Sequence, residues 1–229
     1  MLDFSPAHNQ QGQVWLNVAS SSHVLPEYVN LDNSIYFRLE PLLPILRHVL
    51  GQAHVTNLER YRAAQRRAAV VVHDCRRRLP YPDESVDHIL CSHFIEHVYP
   101  DEAVRILADF YRVVRPGGTV HIIVPDLENL VRSYLERVTS ADELIEATIF
   151  SSPRRPSRKY RVLEFLGFEG LRHRWMYDLP GITRRVMQAG FQAADLASLP
   201  SKAVRTEDGP ESIHVAARKP RVDVLQAQV

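Results

Sequence analysis

The chain has 229 residues, of which 45% are hydrophobic and 24% charged, with a formal net charge of +1 at pH 7. It is long enough to bury a sizeable core, and its near-zero charge excludes a global field that would gather nucleic acid or an acidic surface. No apolar run approaches the roughly 20 residues that cross a bilayer, and the only cysteines, Cys75 and Cys91, read as a reduced pair rather than a disulfide.

Residues 1–12 are polar, with neither an apolar core nor a cleavage pattern, so a flexible N-terminus on a cytoplasmic protein is expected. Residues 14–18, Val-Trp-Leu-Asn-Val, form a first predicted strand, followed by the small polar loop Ala19-Ser20-Ser21-Ser22-His23. Residues 28–32 form a second strand ending in Asp32, and the gap between the two is too short for a full crossover helix. Helices are expected over 41–50, closed by Gly51, and over 57–69. A third strand, 70–73, then ends at Asp74, and a link with Pro80 and Pro82 follows.

The central stretch is residues 86–126. A strand over 86–91 leads to Ser92 and His93. Val104, Leu107, Tyr111 and Val114 then recur at helical spacing, with Asp101 and Glu102 in the first turn and Arg112 and Arg115 in the last, which suits the helix dipole. Pro116 stops the helix, Gly117-Gly118 supply a turn, and the β-branched run 120–124 reads as a strand covered on both faces. Strand, helix and strand of these lengths make a right-handed crossover in a parallel sheet, whose ligands bind outside the carboxyl ends of the strands. Beyond it, helices are predicted over 126–138, with Asp126 as cap, and over 141–149. A basic loop over 151–161 follows, then a helix over 181–189, a weak strand over 195–199 and a clear strand over 212–218. The expected architecture is α/β and Rossmann-like: a mostly parallel sheet flanked by helices, with an antiparallel C-terminal edge strand. One domain spans 13–218, with a lid or insertion near 151–170 and a tail over 219–229.

Asp32 and Asp74 end successive strands. An acid at the first position typically accepts from ribose hydroxyls, and one at the second can accept from an adenine amine. Asp87 starts its strand, the wrong end for a ligand, and reads as a turn cap. His93-Phe94-Ile95-Glu96-His97 matches H-x-x-E-H, in which His93 and His97 on a helix could ligate zinc with Glu164 or Glu169 as a third donor. The position of this segment at a nucleotide-sheet mouth argues against that hydrolase, and no metal is assigned. His93 is the candidate general base, because neutral imidazole titrates near neutral pH. Glu96 and His97 read as anchors of a short helix, with His97 also a candidate substrate contact. His173, Trp175 and Tyr177 could line a substrate pocket or pack a lid. The run from Arg154 to Arg161 reads as a solvated loop rather than a nucleic-acid contact.

The stretches LNVASSSHVLPEYVNLD, LPYPDESVDHILCSHFIEHV and VVRPGGTVHIIVPD, with HRWMYD at 173–178, together resemble the class I S-adenosylmethionine-dependent methyltransferases, and within them a small type 11-like branch. The resemblance implies S-adenosyl-L-methionine as cofactor and methyl transfer to a small-molecule acceptor. It implies that Ala19, Ser20, Ser21 and Ser22 hold the methionine end, Asp32 the ribose, and Asp74 and Cys75 the adenine, with Ser92 and His93 along the cofactor. One departure stands out. The family loop is usually glycine-rich, whereas every residue of 19–22 carries a Cβ, which disfavours positive φ and close backbone approach. Cofactor binding weaker than in glycine-containing relatives is expected. The alternative is a non-catalytic binding or scaffolding protein that kept the fold.

Overall fold

A computed structural model describes residues 9–48, 51–150, 172–200, 208–209 and 211–221. The expected lid near 151–170, the basic loop, and Glu164 and Glu169 lie outside the described residues.

The β-branched and apolar runs pair into a seven-stranded sheet in the order β3-β2-β1-β4-β5-β7-β6. The strands are β1 (Trp15–Val18), β2 (Val29–Asp32), β3 (Val70–Val72), β4 (Val86–Ser92), β5 (Val114–Pro125), β6 (Gln192–Ala193) and β7 (Ser212–Arg218). The first five run parallel; β7 is antiparallel to β5, and the two-residue β6 pairs on its outer side. The expected weak strand at 195–199 is instead a 3-10 turn at Leu196–Ser198, capped by the Asp195 side chain on the Ala197 N–H, and the pairing residues lie just before it. No helix joins β1 to β2, as the short gap requires.

The helices are α1 (Ile35–Leu39), α2 (Leu43–Leu46), α3 (Gln52–Arg67), α4 (Pro100–Val113), α5 (Leu127–Leu135), α6 (Ala141–Ala147) and α7 (Leu179–Gln188). The helix expected over 41–50 is instead a 3-10 turn at Glu40–Leu42 followed by the single-turn α2, because Pro41 and Pro44 each remove a backbone donor. On α4 the buried face is Ala103, Ile106, Leu107, Phe110 and Val113, whereas Val104 is exposed. The apolar stripe therefore sits one residue away from the expected one. Phe110 offers more area to bury than Val104, and the i, i+3, i+4, i+7 rule is satisfied through it. Val114 already belongs to β5.

Residues 115–118 bulge out of the sheet: Val86 pairs with Val114, but His88 pairs with Thr119. Gly118 fits there because a Cβ would meet the Val114 side chain and the Asp87 carbonyl at under 3 Å. Asp87 accepts from the Val14 N–H at 2.8 Å and pairs with Arg115, so it ties β1 to this bulge. The order turns back at β1 and β4, whose carboxyl ends lie side by side, Val18 opposite Cys91. That edge is where a doubly wound sheet leaves a crevice. No helix among the described residues is long and apolar enough to cross a membrane.

Candidate functional site

Two loops leave this edge. The first, after β1, carries Ala19 at φ 54° and Ser21 at φ 50°, so the left-handed path is taken without glycine. The conformation that the Cβ atoms disfavour is thus adopted at both positions, and the surrounding bonds explain how. The Ser21 N–H donates to the Asp32 carboxylate at 2.8 Å, the Ser21 hydroxyl meets the Tyr61 hydroxyl at 2.9 Å, and the Ser20 N–H donates to the Leu31 carbonyl at 3.0 Å. Asp32 also accepts from the Ser34 N–H at 2.6 Å. It is thus a buried clamp that fixes the loop, and each of its oxygens already holds one backbone donor. Ser20 is buried and Ser22 half-buried.

Asp74, at the next strand end, is gripped by the Arg76 guanidinium through two contacts of 2.9 Å. That bond holds its carboxyl below the ordinary value. The Cys75 thiol is buried against the Leu31 and His73 carbonyls, and burial pushes its pKa up to about 12. It is a weak donor there rather than a nucleophile.

The second loop, after β4, gathers Ser92, His93, Glu96 and His97. Ser92 donates to Asp208 at 2.7 Å, so its hydroxyl belongs to this cluster. His93 sits at φ 51° with Nδ1 3.1 Å from Glu96 and Nε2 3.1 Å from Asp208. Burial opposes its charge, but the bonds to Asp208 and Glu96 outweigh that and push its pKa up to about 9. Against the expected neutral base, this environment between two buried carboxylates favours the protonated ring at neutral pH, which has no lone pair to take a proton. The H-x-x-E-H zinc arrangement is corrected too. Ile95–His97 is a single 3-10 turn rather than a helix, and both nitrogens of His93 are committed to carboxylates.

The HRWMYD segment docks on this loop. The Arg174 and Trp175 N–H groups donate to the Glu96 carbonyl at 2.7 and 3.1 Å, and Tyr177 bridges to Asp126 at the end of β5. His173 comes to rest with its ring 4.9 Å from that of His97. Tyr177 is buried, and burial raises its phenol to about 12, while Trp175 is half exposed. Asp208 is the residue that the sequence reading missed. The available signal was topological: an antiparallel last strand starts at the carboxyl edge of its neighbours, so an acid in the Asp208-Gly209 turn before β7 must arrive at the site.

Residues 46–122 match a family model described as a methyltransferase domain. The matched segment contains β3, β4 and α4 but not the Ala19–Ser22 loop or Asp32. No curated protein matches the chain. Among solved structures, a S-adenosylmethionine-dependent methyltransferase of Methanosarcina mazei superposes with a TM-score of 0.52 at 15% identity, covering 91% of this chain and 92% of its own. A protein of Pyrococcus horikoshii superposes with a TM-score of 0.50 at 16% identity, covering 92% and 84%. These likenesses carry the fold, and the matched segment carries the methyltransferase signature within it. Residues 46–122 are thus similar to a methyltransferase domain, and the described sheet has the fold of these two structures.

Proposed function

We propose that the protein transfers a methyl group from S-adenosyl-L-methionine to a small acceptor. The observation that carries this reading is the backbone of the first loop. Ala19 and Ser21 hold positive φ beside a strand-end carboxylate, at the edge where β1 and β4 part. Non-glycine residues at positive φ cost on the order of 1 kcal/mol each, and such strain persists where the surroundings over-determine it. Its presence at two positions of a cofactor loop supports retention of the cradle's shape. The residues fit the cofactor in part. Asp32 stands at the strand end where a ribose would lie, while Asp74 offers an adenine amine an ion pair with Arg76 rather than a free carboxylate.

When bound, the cofactor supplies an electrophilic methyl on a sulfonium sulfur. The chain's own work is to bind, orient and exclude water. Asp32 holds the first loop, and Ala19–Ser22 present backbone polar groups. The imidazolium of His93 locks the second loop, so His93 positions and does not deprotonate. Trp175 and Tyr177 stand on the strap beside that loop as acceptor-facing candidates.

Calorimetric titration with S-adenosylhomocysteine tests the reading. Weak but saturable binding, further weakened in Asp32→Asn, is expected. No heat at millimolar ligand, in the native chain and in Ala19→Gly with Ser21→Gly alike, would favour the second reading, a non-catalytic relative. That reading draws on the engaged oxygens of Asp32 and on a family match that begins only after this loop.

A further inference from the structure

We propose that Glu96, His97 and His173 form a site for one divalent transition-metal ion, zinc by the character of its donors. Each of the three residues offers one ligand atom, and these atoms all lie within 4.8 Å of one another. Two of the donors are buried without a partner among the described residues: Glu96 Oε2 and His173 Nδ1. An unpaired carboxylate oxygen and an unpaired imidazole nitrogen are each costly inside a protein. Both facing one small space is what a cation would explain.

The outer contacts fit the same role. A metal-binding histidine donates its other ring N–H to a carbonyl or carboxylate, which fixes the tautomer and leaves a lone pair for the ion. His97 Nδ1 lies 3.3 Å from the Arg172 carbonyl, so Nε2 is left to bind. His173 bonds to the Thr148 backbone, and since its Nδ1 has no partner, Nε2 makes that bond. The Glu96 carboxylate is oriented through its other oxygen by His93 at 3.1 Å. His97 is only partly buried, which gives an ion a way in.

Two imidazoles and one carboxylate suit zinc, and three protein donors leave a fourth position for water or an acceptor heteroatom. The site would also fasten the HRWMYD strap to the loop after β4, beside the strap's two bonds to the Glu96 carbonyl. It shares no residue with the Ala19–Ser22 loop, so it can exist whether or not the cofactor reading holds.

The test uses the full chain, stripped by a chelator and titrated with zinc, and with cobalt as a spectroscopic probe. One ion per chain, and the visible absorption of four- or five-coordinate cobalt, are expected. His97→Ala and His173→Ala should each weaken zinc binding at least 100-fold, while His48→Ala, an exposed histidine elsewhere, should not. Should the variants fail to fold, the native chain still decides. Zinc should shield His97 and His173 from diethylpyrocarbonate, read by peptide mass spectrometry. Absence of stoichiometric binding, binding that survives both substitutions, or equal modification with and without zinc would each overturn the proposal.

Discussion

The loops after β1 and β4 leave neighbouring strands at the same edge, and both bend through positive φ without glycine. They are held in different ways. The β1 loop rests on neutral donors gathered by one carboxylate, Asp32, which accepts from the Ser21 and Ser34 backbone N–H groups. The β4 loop is locked by an imidazolium between two carboxylates, Glu96 and Asp208. A hydrogen bond to a charged group contributes about 1.5–3 kcal/mol, whereas breaking a buried ion pair on one side costs about 3–5 kcal/mol. The β4 loop should therefore be the rigid wall of the site and the β1 loop the adjustable one.

The sharpest way to break that comparison is Glu96→Ala in metal-free protein. It removes one wall of the cage around His93 and leaves Asp208 and the Ser212 hydroxyl on the other. Loss of about 3–5 kcal/mol in urea unfolding is expected. A loss below 1 kcal/mol would mean that the triad is not held as an ion network.

How far the sequence reached differs between the two loops for physical reasons. The central strands β1, β4 and β5 were legible because they are apolar or β-branched runs that are largely buried, and the site edge follows from the strand order. Asp32 and the unusual Ala19-Ser20-Ser21-Ser22 were visible because they are local, one strand and its loop. The β4 cluster was only half visible. His93, Glu96 and His97 are contiguous, but Asp208 and His173 join them from far along the chain, and no periodicity encodes that meeting. The sign of the His93 proton affinity depended on Asp208, so a reading without Asp208 had to take the ring as neutral. The displaced face of α4 is a similar case: Val104 and Phe110 both fit a helical spacing, and only packing against the sheet chooses between them.

The pH dependence of stability sharpens the contrast between the edge and the interior of β4. His88 is buried between Trp15, Tyr28 and Thr119, and burial, with His121 nearby, lowers its pKa to about 3. Burial and the neighbouring His214 lower His121 to about 4, against the opposing charge of Asp208. A histidine with a depressed folded pKa contributes fully above its unfolded value, about 6.5. That contribution is lost as pH falls toward the folded value. His93 has the opposite sign and remains fully stabilising below 6.5, so it adds nothing to the acid loss. From pH 7 to pH 5 the unfolding free energy should fall by about 3–4 kcal/mol through the pair. A flat profile would mean that the interior imidazoles are already protonated in the fold.

Asp32→Ala probes the β1 loop directly. Two backbone donors lose a buried charged acceptor, so stability should fall by about 2 kcal/mol, and affinity for S-adenosylhomocysteine should fall with it. Chemical denaturation and calorimetry on the same preparation separate the two. A drop in stability with unchanged affinity would make Asp32 a purely structural clamp.

The smallest effect, and the one that isolates backbone strain, is Ala19→Gly. Replacing alanine by glycine normally destabilises, because the unfolded chain gains freedom worth about 0.5–1 kcal/mol. At φ 54° the balance reverses, since a Cβ in the left-handed region costs roughly 1–2 kcal/mol. The variant should therefore be more stable, by up to about 1 kcal/mol, and should bind S-adenosylhomocysteine more tightly if the Cβ is what holds the ligand off. Ser21→Gly relieves a similar strain but deletes the 2.9 Å contact with Tyr61, so the two terms offset and its stability should change little. Measured together by thermal unfolding, the pair distinguishes strain from hydrogen bonding. Destabilisation in Ala19→Gly equal to that of an ordinary exposed alanine would show that the loop in solution does not keep the left-handed turn.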